Sequence, residues 1–419
     1  MTILAISVTV ILTCIAVFFT LVMVLVAALL YAKAKLIPSG NVKMVINGEK
    51  ELEVPQGNTV LGTLQAQGIF LPSACGGGGS CGQCRCQVPE GGGTILPTEV
   101  GFFSRKQQKE HWRLGCQAKV KGDLSVQVPE EVFGVSEWEC TVVSNHNVAS
   151  FIKEFTVKLP EGEVMNFKSG SYAQITIPKY DIKFADMQIE DRFKSEWDNF
   201  KLWPLTCKND EETIRAYSMA NYPAEGNIIT LNVRIATPPF DRNTGTWQAG
   251  IKPGISSSYI FSLKPGDKVK MSGPYGDFHI LDTKREMLYI GGGAGMAPLR
   301  AHLLHLFNTL KTTDRTVTYW YGARSKNEIF YEEDFRAIER EFPNFKFHIA
   351  LSDPRPEDNW TGYTGFIHQV IHDNYLANHE EPEDIEYYMC GPGPMAKAVE
   401  GMLDSIGVPR EMLFFDDFG

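Results

Sequence analysis

The chain has 419 residues, 43% of them hydrophobic and 21% charged, values that exclude wholesale disorder. At roughly 150 residues per domain, the length predicts about three domains. With 50 acidic against 40 basic residues the net charge is −10, and without a basic block this sets nucleic acid aside as a partner. Nine cysteines are too few for a disulfide scaffold, but Cys75, Cys81, Cys84 and Cys86 fall within twelve residues, which points to a metal or redox site.

Residues 1–35 read as a transmembrane anchor. From Ile3 to Ala32 there is no charged side chain. As a helix this stretch reaches about 45 Å, against a hydrocarbon core of ~30 Å. A cleaved signal peptide would have a shorter apolar core behind a basic start, and neither holds. Lys33, Lys35, Lys43 and Lys50 follow the span, so the positive-inside rule puts that flank in the cytoplasm and the amino terminus outside. The span offers no charged ion relay.

Residues 36–130 read as a small α+β domain. Val42, Met44 and Ile46 alternate, Asn47-Gly48 suits a type I′ turn, and Leu52 and Val54 alternate back, which predicts a hairpin. Asn58 is the expected cap of a short helix that stops at Gly68. The segment ACGGGGSCGQCRC, with Cys116 further on, gives C-x5-C-x2-C and a fourth cysteine after 31 residues. Four thiolates hold either zinc or a [2Fe–2S] cluster. Only Cys81 and Cys84 make a C-x2-C pair, and no histidine pair follows, which disfavours zinc. Gly76 to Gly79 let backbone N–H groups approach cluster sulfurs. The domain therefore resembles a [2Fe–2S] ferredoxin of the β-grasp type. That resemblance implies Cys75, Cys81, Cys84 and Cys116 as ligands and leaves Cys86 as a neighbour.

Residues 131–280 show short alternating runs, WECTVVS, FTVKL, AQITI, NIITLNVRIA and KVKMSG, separated by turn residues. They predict an antiparallel β-barrel. Arg215-Ala216-Tyr217-Ser218 is expected just before a strand. There an arginine neutralises a pyrophosphate, a tyrosine lies flat on a flavin, and a serine hydroxyl reaches the ring edge. Gly254-Ile255-Ser256-Ser257-Ser258 opens a predicted helix whose free N–H groups suit a second phosphate. Followed by GPYGDF, these motifs resemble the ferredoxin-NADP⁺ reductase superfamily, which implies FAD held by Arg215, Tyr217, Ser218, Gly254, Ser257 and Ser258. Between the barrel strands, Lys179 to Ile214 form a charged insert carrying Trp197 and Trp203. The plain reading is a surface excursion; loops this long are usually functional or disordered, and exposed tryptophans would suit a partner protein or a membrane surface.

Residues 281–419 alternate strands and helical stretches, which predicts an α/β domain with a parallel sheet. In MLYIGGGAGMAPLRAHLLHLF, the glycines 291, 292, 293 and 295 allow close approach of a dinucleotide, in a G-x-G-x-x-P spacing that ends at Pro298. With YGARS and CGPGPM it resembles the nicotinamide-binding module of the same superfamily. The resemblance implies Cys390, followed by Gly391 and Pro392, beside the reacting nicotinamide carbon, and an aromatic near the carboxy terminus over the flavin, Phe418 first and Phe415 second. Arg324 would touch the adenosine ribose or a phosphate. Arg324 and Lys326 are followed by Glu328, Glu332, Glu333 and Asp334, which favours NADH over NADPH.

NADH delivers two electrons as hydride, a [2Fe–2S] cluster takes one, and a flavin exchanges either number, so the order of parts describes an electron splitter. The whole chain, from the single span through the insert to ALSDPRPEDNWTGYTGFIH and the ending DDFG, resembles the F-subunit family of Na⁺-translocating NADH:quinone reductases. That resemblance implies a bacterial inner-membrane complex with cytoplasmic catalytic domains, Cys390 and Ser218 at the hydride-transfer site, and partner subunits that reduce quinone and move sodium. The alternative is a membrane-anchored reductase feeding a monooxygenase or dioxygenase. A tethered electron carrier without NADH oxidation would leave the glycine turn and CGP without a purpose.

Overall fold

The computed structural model describes residues 2–36, 40–241, 243–248 and 250–416. They form two compact units, residues 1–71 with 82–132, and residues 72–81 with 133–419.

In the first unit, helix α1 (Thr2–Leu36) contains the window Leu12–Leu29, whose mean hydropathy is 2.8; it is long and apolar enough to cross a membrane. The hairpin is present as strands β1 (Asn41–Ile46) and β2 (Lys50–Pro55). Asn47 and Gly48 both take positive φ, 51° and 75°, as a type I′ turn requires. Helix α2 (Val60–Ala66) is capped by Thr59 rather than Asn58, since the Thr59 hydroxyl accepts the Gly62 N–H at 3.0 Å while Asn58 Oδ1 accepts that of Thr59. Strand β3 (Arg85–Glu90), the short helix α3 (Arg105–Lys109), and strands β4 (Trp112–Leu114) and β5 (Leu124–Gln127) follow. The sheet order is β2-β1-β5-β3-β4, with β1 and β5 parallel and the other pairs antiparallel, over a core that includes Met44, Val60, Leu64, Leu114 and Val126. Inside it, Arg113 Nη2 meets Glu99 Oε2 at 2.7 Å, and the carboxylate also accepts the N–H groups of Leu96 and Leu114 at 2.9 and 2.8 Å. That buried pair is fully satisfied and fixes the strand leading into Cys116.

The second unit begins with β6 (Ser136–Ala149), β7 (Ile152–Lys158) and β8 (Tyr172–Ile177). The insert then forms β9 (Tyr180–Lys183), α4 (Asp191–Asn199) and β10 (Thr206–Asn209), with β9 and β10 paired antiparallel. Strands β11 (Thr213–Ser218) and β12 (Ile228–Arg234), the two-residue ribbon β13 (Phe240–Asp241) and β14 (Thr246–Trp247), helix α5 (Ile255–Ser262) and strand β15 (Lys268–Tyr275) complete this half. The antiparallel order is β11-β8-β15-β6-β7-β12. Its two edges meet at a Met219–Leu231 bridge, where Ala220 N–H donates to Thr230 O at 2.7 Å, so the sheet curls back on itself.

The insert's tryptophans are not exposed. Phe193 and Trp197, four residues apart on one face of α4, are fully buried in the core cluster of the antiparallel sheet, and Trp203 packs half-buried on Trp197 with ring centroids 5.0 Å apart. Removing such a side chain from water contributes on the order of 2–3 kcal/mol. The expectation of exposed aromatics is corrected for that reason.

The carboxy-terminal half is a parallel sheet: β16 (Met287–Gly292), β17 (Val317–Ala323), β18 (Phe345–Leu351), β19 (Tyr363–Thr364), β20 (Glu386–Cys390) and β21 (Leu413–Phe415), in the order β19-β18-β17-β16-β20-β21. Helices α6 (Met296–Leu304), α7 (Glu332–Glu341), α8 (Ile367–Asn374) and α9 (Gly393–Ser405) cover it. Met287 and Tyr289 pack into one face and Leu288 and Ile290 into the other, which is why these strands read as continuous apolar runs. Strand order reverses between β16 and β20, the switch point at which such sheets bind ligands.

Candidate functional site

Arg-x-Tyr-Ser lies within a strand rather than before one: Arg215 to Ser218 are the last four residues of β11. Arg215 Nη1 donates to Ile214 O at 2.7 Å and Cys75 O at 3.4 Å, and among the described residues no carboxylate pairs with it. Helix α5 starts at Gly254, where an added Cβ would stand 2.6 Å from Ala236 Cβ, so only glycine closes the loop. The Ser257 hydroxyl is engaged there, accepting Ala236 N–H at 3.0 Å and donating to Gly254 O at 3.2 Å. Ser256 and Ser258 are buried, with hydroxyls that make no hydrogen bond of good geometry, beside the Tyr217 and Tyr180 phenols respectively. A half-buried cation without counter-charge, two buried hydroxyls beside phenols and a helix N-terminus form a donor-rich set, which fits a diphosphate. Ser256 was not singled out from sequence; a triple-serine run does not say which hydroxyls the loop consumes.

At the switch point Gly291 pairs with Cys390 across β16 and β20. A Cβ on Gly295 would stand 2.2 Å from Cys390 O, so the glycine turn and the CGP segment touch through backbone. Gly293 has φ 56° and Gly292 closes the strand, while Pro298 sits in the first turn of α6, where no N–H is required. Gly391 and Pro392 lead from Cys390 into α9.

At the strand ends, the antiparallel sheet meets the parallel sheet through Ser218, Asp416 and Cys390. Ser218 Oγ donates to the Asp416 carboxylate, Asp416 N–H donates to Met389 O at 3.2 Å, and Cys390 Sγ lies 3.6 Å from Asp416 O. Asp416 belongs to the DDFG ending, but nothing in its local pattern signals that it returns to Ser218. Phe418 lies outside the described residues. Phe415 is fixed in β21 against the sheet core with Arg410 4.9 Å over its ring, a packing role.

Arg324, just past β17, is not free. Its Nη2 meets Glu196 Oε2 at 2.5 Å, and Arg355 Nη2 holds the other oxygen of the same carboxylate. Glu196, from the insert, and Arg355 were not anticipated.

The loop holding Cys75 and Cys81 takes positive φ at Gly76, Gly77 and Gly79 and is braced by the Ser73 hydroxyl, which accepts Gly77 N–H at 2.9 Å. The two sulfurs are 3.3 Å apart without a disulfide between them, Cys81 Sγ donating to Cys75 Sγ. Cys81, with the N–H groups of Ser80 and Gly79 assisting, holds the Cys75 thiol down at about 3. Those donors are what a sulfur-ligated cluster requires. In the first unit Cys84 and Cys116 are buried, linked by Gly115 N–H donating to Cys84 O at 2.7 Å. Burial pushes the Cys86 thiol up to about 12, which suits a protonated bystander. Among the described residues no three His, Cys, Asp or Glu side chains gather round a single ion position.

Three family profiles match: the 2Fe-2S iron-sulfur cluster binding domain at 44–121, the oxidoreductase FAD-binding domain at 202–280, and the oxidoreductase NAD-binding domain at 289–401. The cofactors of these families are [2Fe–2S], FAD and NAD, those the sequence reading expects. Relatives named as the F subunit of Na(+)-translocating NADH-quinone reductase include those of Neisseria meningitidis, 54% identical over 96% of this chain and 98% of the relative, Actinobacillus pleuropneumoniae, 55% over 96% and 97%, and Pseudomonas aeruginosa, 52% over 96% and 97%. Among solved structures, the cytochrome P450 reductase GcoB of Amycolatopsis is 22% identical with a TM-score of 0.61, covering 90% of this chain and 98% of its own. A ferredoxin reductase in carbazole 1,9a-dioxygenase is 24% identical with a TM-score of 0.57, covering 91% and 99%. At those identities the likeness shows the fold.

Proposed function

The chain belongs to the F-subunit family of Na(+)-translocating NADH-quinone reductases, and from that premise we propose that it is the electron-input component of such a complex, oxidising NADH and passing electrons singly to partner subunits. The observation that carries this reading is the convergence of Ser218, Cys390 and Asp416, which joins the end of the flavin strand to the end of the nicotinamide strand. Bound here, FAD would supply the exchange between the two-electron hydride chemistry of NADH and the one-electron chemistry of a [2Fe–2S] cluster. Arg215, Ser256, Ser258 and the α5 N-terminus would hold the flavin diphosphate, with Tyr217 against the ring. Gly292, Gly293, Gly295 and the start of α6 would take the nicotinamide dinucleotide's phosphates. Cys390 would lie beside the nicotinamide, and Ser218, oriented by Asp416, would stand at the flavin edge. Buried surroundings at Ser218 and Cys390, 3% and 1% exposed, keep water from this junction. Cys75, Cys81, Cys84 and Cys116 would ligate the cluster.

Helix α1 would anchor the chain in a bacterial inner membrane with the amino terminus outside and the catalytic units in the cytoplasm. The outer face of the insert is the candidate contact with another subunit. The test is NADH-driven quinone reduction by the complex purified from membranes in mild detergent, with Na⁺ and with K⁺ alone. Stimulation by Na⁺ and co-purifying membrane subunits are expected; a chain that arrives alone, with no sodium effect, would refute the reading. Cys81→Ala should remove the cluster's EPR signal and spare NADH oxidation with an artificial acceptor.

A further inference from the structure

In a parallel dinucleotide-binding sheet, the strand beside the glycine-turn strand ends where the adenosine ribose lies. A carboxylate there accepts from the 2′-hydroxyl, whereas a free arginine there recruits a 2′-phosphate. Here β17 neighbours β16, and Arg324 follows its last residue, Ala323; Arg355 follows the next strand, β18. Two guanidinium groups at this edge, each about one third exposed, would make a competent phosphate clamp if they were available. They are not. Glu196 is itself 3% exposed and gives one oxygen to each arginine. Glu328 stands 3.7 Å from Arg324, and the ring of Phe200 lies 6.0 Å from the Arg324 guanidinium carbon. The helix that carries the carboxylate is pinned at the next residue: Trp197 is buried and its indole N–H donates to Ser150 O at 2.9 Å, while Ser150 Oγ is held by Glu328. Two arginines against two carboxylates leave no net positive charge for a dianionic phosphate.

We propose that Glu196, delivered by the insert, is the specificity residue that excludes NADPH: it occupies both arginines and turns a ready 2′-phosphate site into one that accepts only the unphosphorylated ribose. The inference rests on the reading of the chain as an NADH oxidoreductase and adds which residue sets the choice of nucleotide. It also gives the insert a purpose beyond packing, since Glu196 lies outside the three matched family segments. Arg324 and Arg355 then act as positioning residues that hold Glu196 rather than as phosphate ligands.

The experiment uses the full chain in detergent with ferricyanide as acceptor, and compares NADH with NADPH for the wild type and Glu196→Gln, with FAD content as the check on folding. The wild type should strongly prefer NADH. Glu196→Gln should raise the NADPH-to-NADH ratio of kcat/KM at least tenfold, mainly through a lower KM for NADPH, and 2′-phospho-AMP should become a competitive inhibitor. Adding Arg324→Gln to that variant should remove the gain. If Glu196→Gln retains FAD but its ratio is unchanged, the proposal fails while the NADH reading stands; a wild type that oxidises neither nucleotide fails that reading instead. Should Glu196→Gln lose FAD, wild-type inhibition by 2′-phospho-AMP decides: weak inhibition no stronger than that by AMP supports the proposal, and tighter inhibition overturns it.

Discussion

A carboxylate buried against arginine occurs in each unit, and the Glu99 and Glu196 cases differ in what the arginine can still reach. In the ferredoxin-like unit Glu99 and Arg113 are 0% and 5% exposed, and every remaining polar contact goes to backbone. In the second unit Glu196 is equally hidden, yet its partners Arg324 and Arg355 are 35% and 31% exposed at the edge of a binding sheet. The first pair can only hold the fold; the second also determines what the site sees. Arg215 is the contrasting case, a guanidinium left with carbonyls alone and therefore open to an anionic cofactor. Residue type is the same in all three places, and the counter-charge decides the role.

That comparison breaks most visibly at Glu99. Glu99→Ala leaves Arg113 buried without its partner and should cost about 3–5 kcal/mol, read as a lower thermal midpoint of the cluster-bearing unit; a midpoint within a degree or two of wild type would mean that water or a repacked loop replaces the carboxylate. Next in size is Arg215→Leu. Losing charge-assisted bonds to a diphosphate should weaken FAD retention by about 1.5–3 kcal/mol, measured by flavin titration of the apoprotein, and a dissociation constant equal to that of the wild type would remove Arg215 from that role.

The smallest effect tests a buried base that has no carboxylate at all. His302 sits between Phe278, Tyr289 and Tyr388 with Nε2 3.0 Å from Phe278 O, and burial holds it down at about 3. Because the folded value lies below the ordinary 6.5, the unfolded chain binds this proton first as pH falls. The stability is therefore whole above about 6.5 and is lost progressively toward 3, amounting to about 2 kcal/mol at pH 5. Denaturant midpoints at pH 7.5 and 5 should show that loss in the wild type and a smaller one in His302→Leu; identical pH profiles would assign acid sensitivity elsewhere.

Much of this was legible in the residues. Alternation located β1 and β2, positive-φ residues marked their turn, and apolar runs ending in glycine or cysteine marked β16 and β20, because these signals are local in the chain. The thirty uncharged residues at the amino terminus determined a membrane-spanning length without any tertiary information. What a hydroxyl or a charge would be used for was not legible. Ser257 and Ser256 are adjacent in sequence, yet the Ala236 loop consumes one and leaves the other. Asp416 reaches Ser218 across 198 residues, and Glu196 reaches Arg324 across 128. Spacing sets which residues a strand end or helix start presents, since backbone geometry has a short period. Only the tertiary structure brings in the partner that satisfies, neutralises or frees them, because a buried charge takes its meaning from whatever lies within a few ångströms, however distant in sequence.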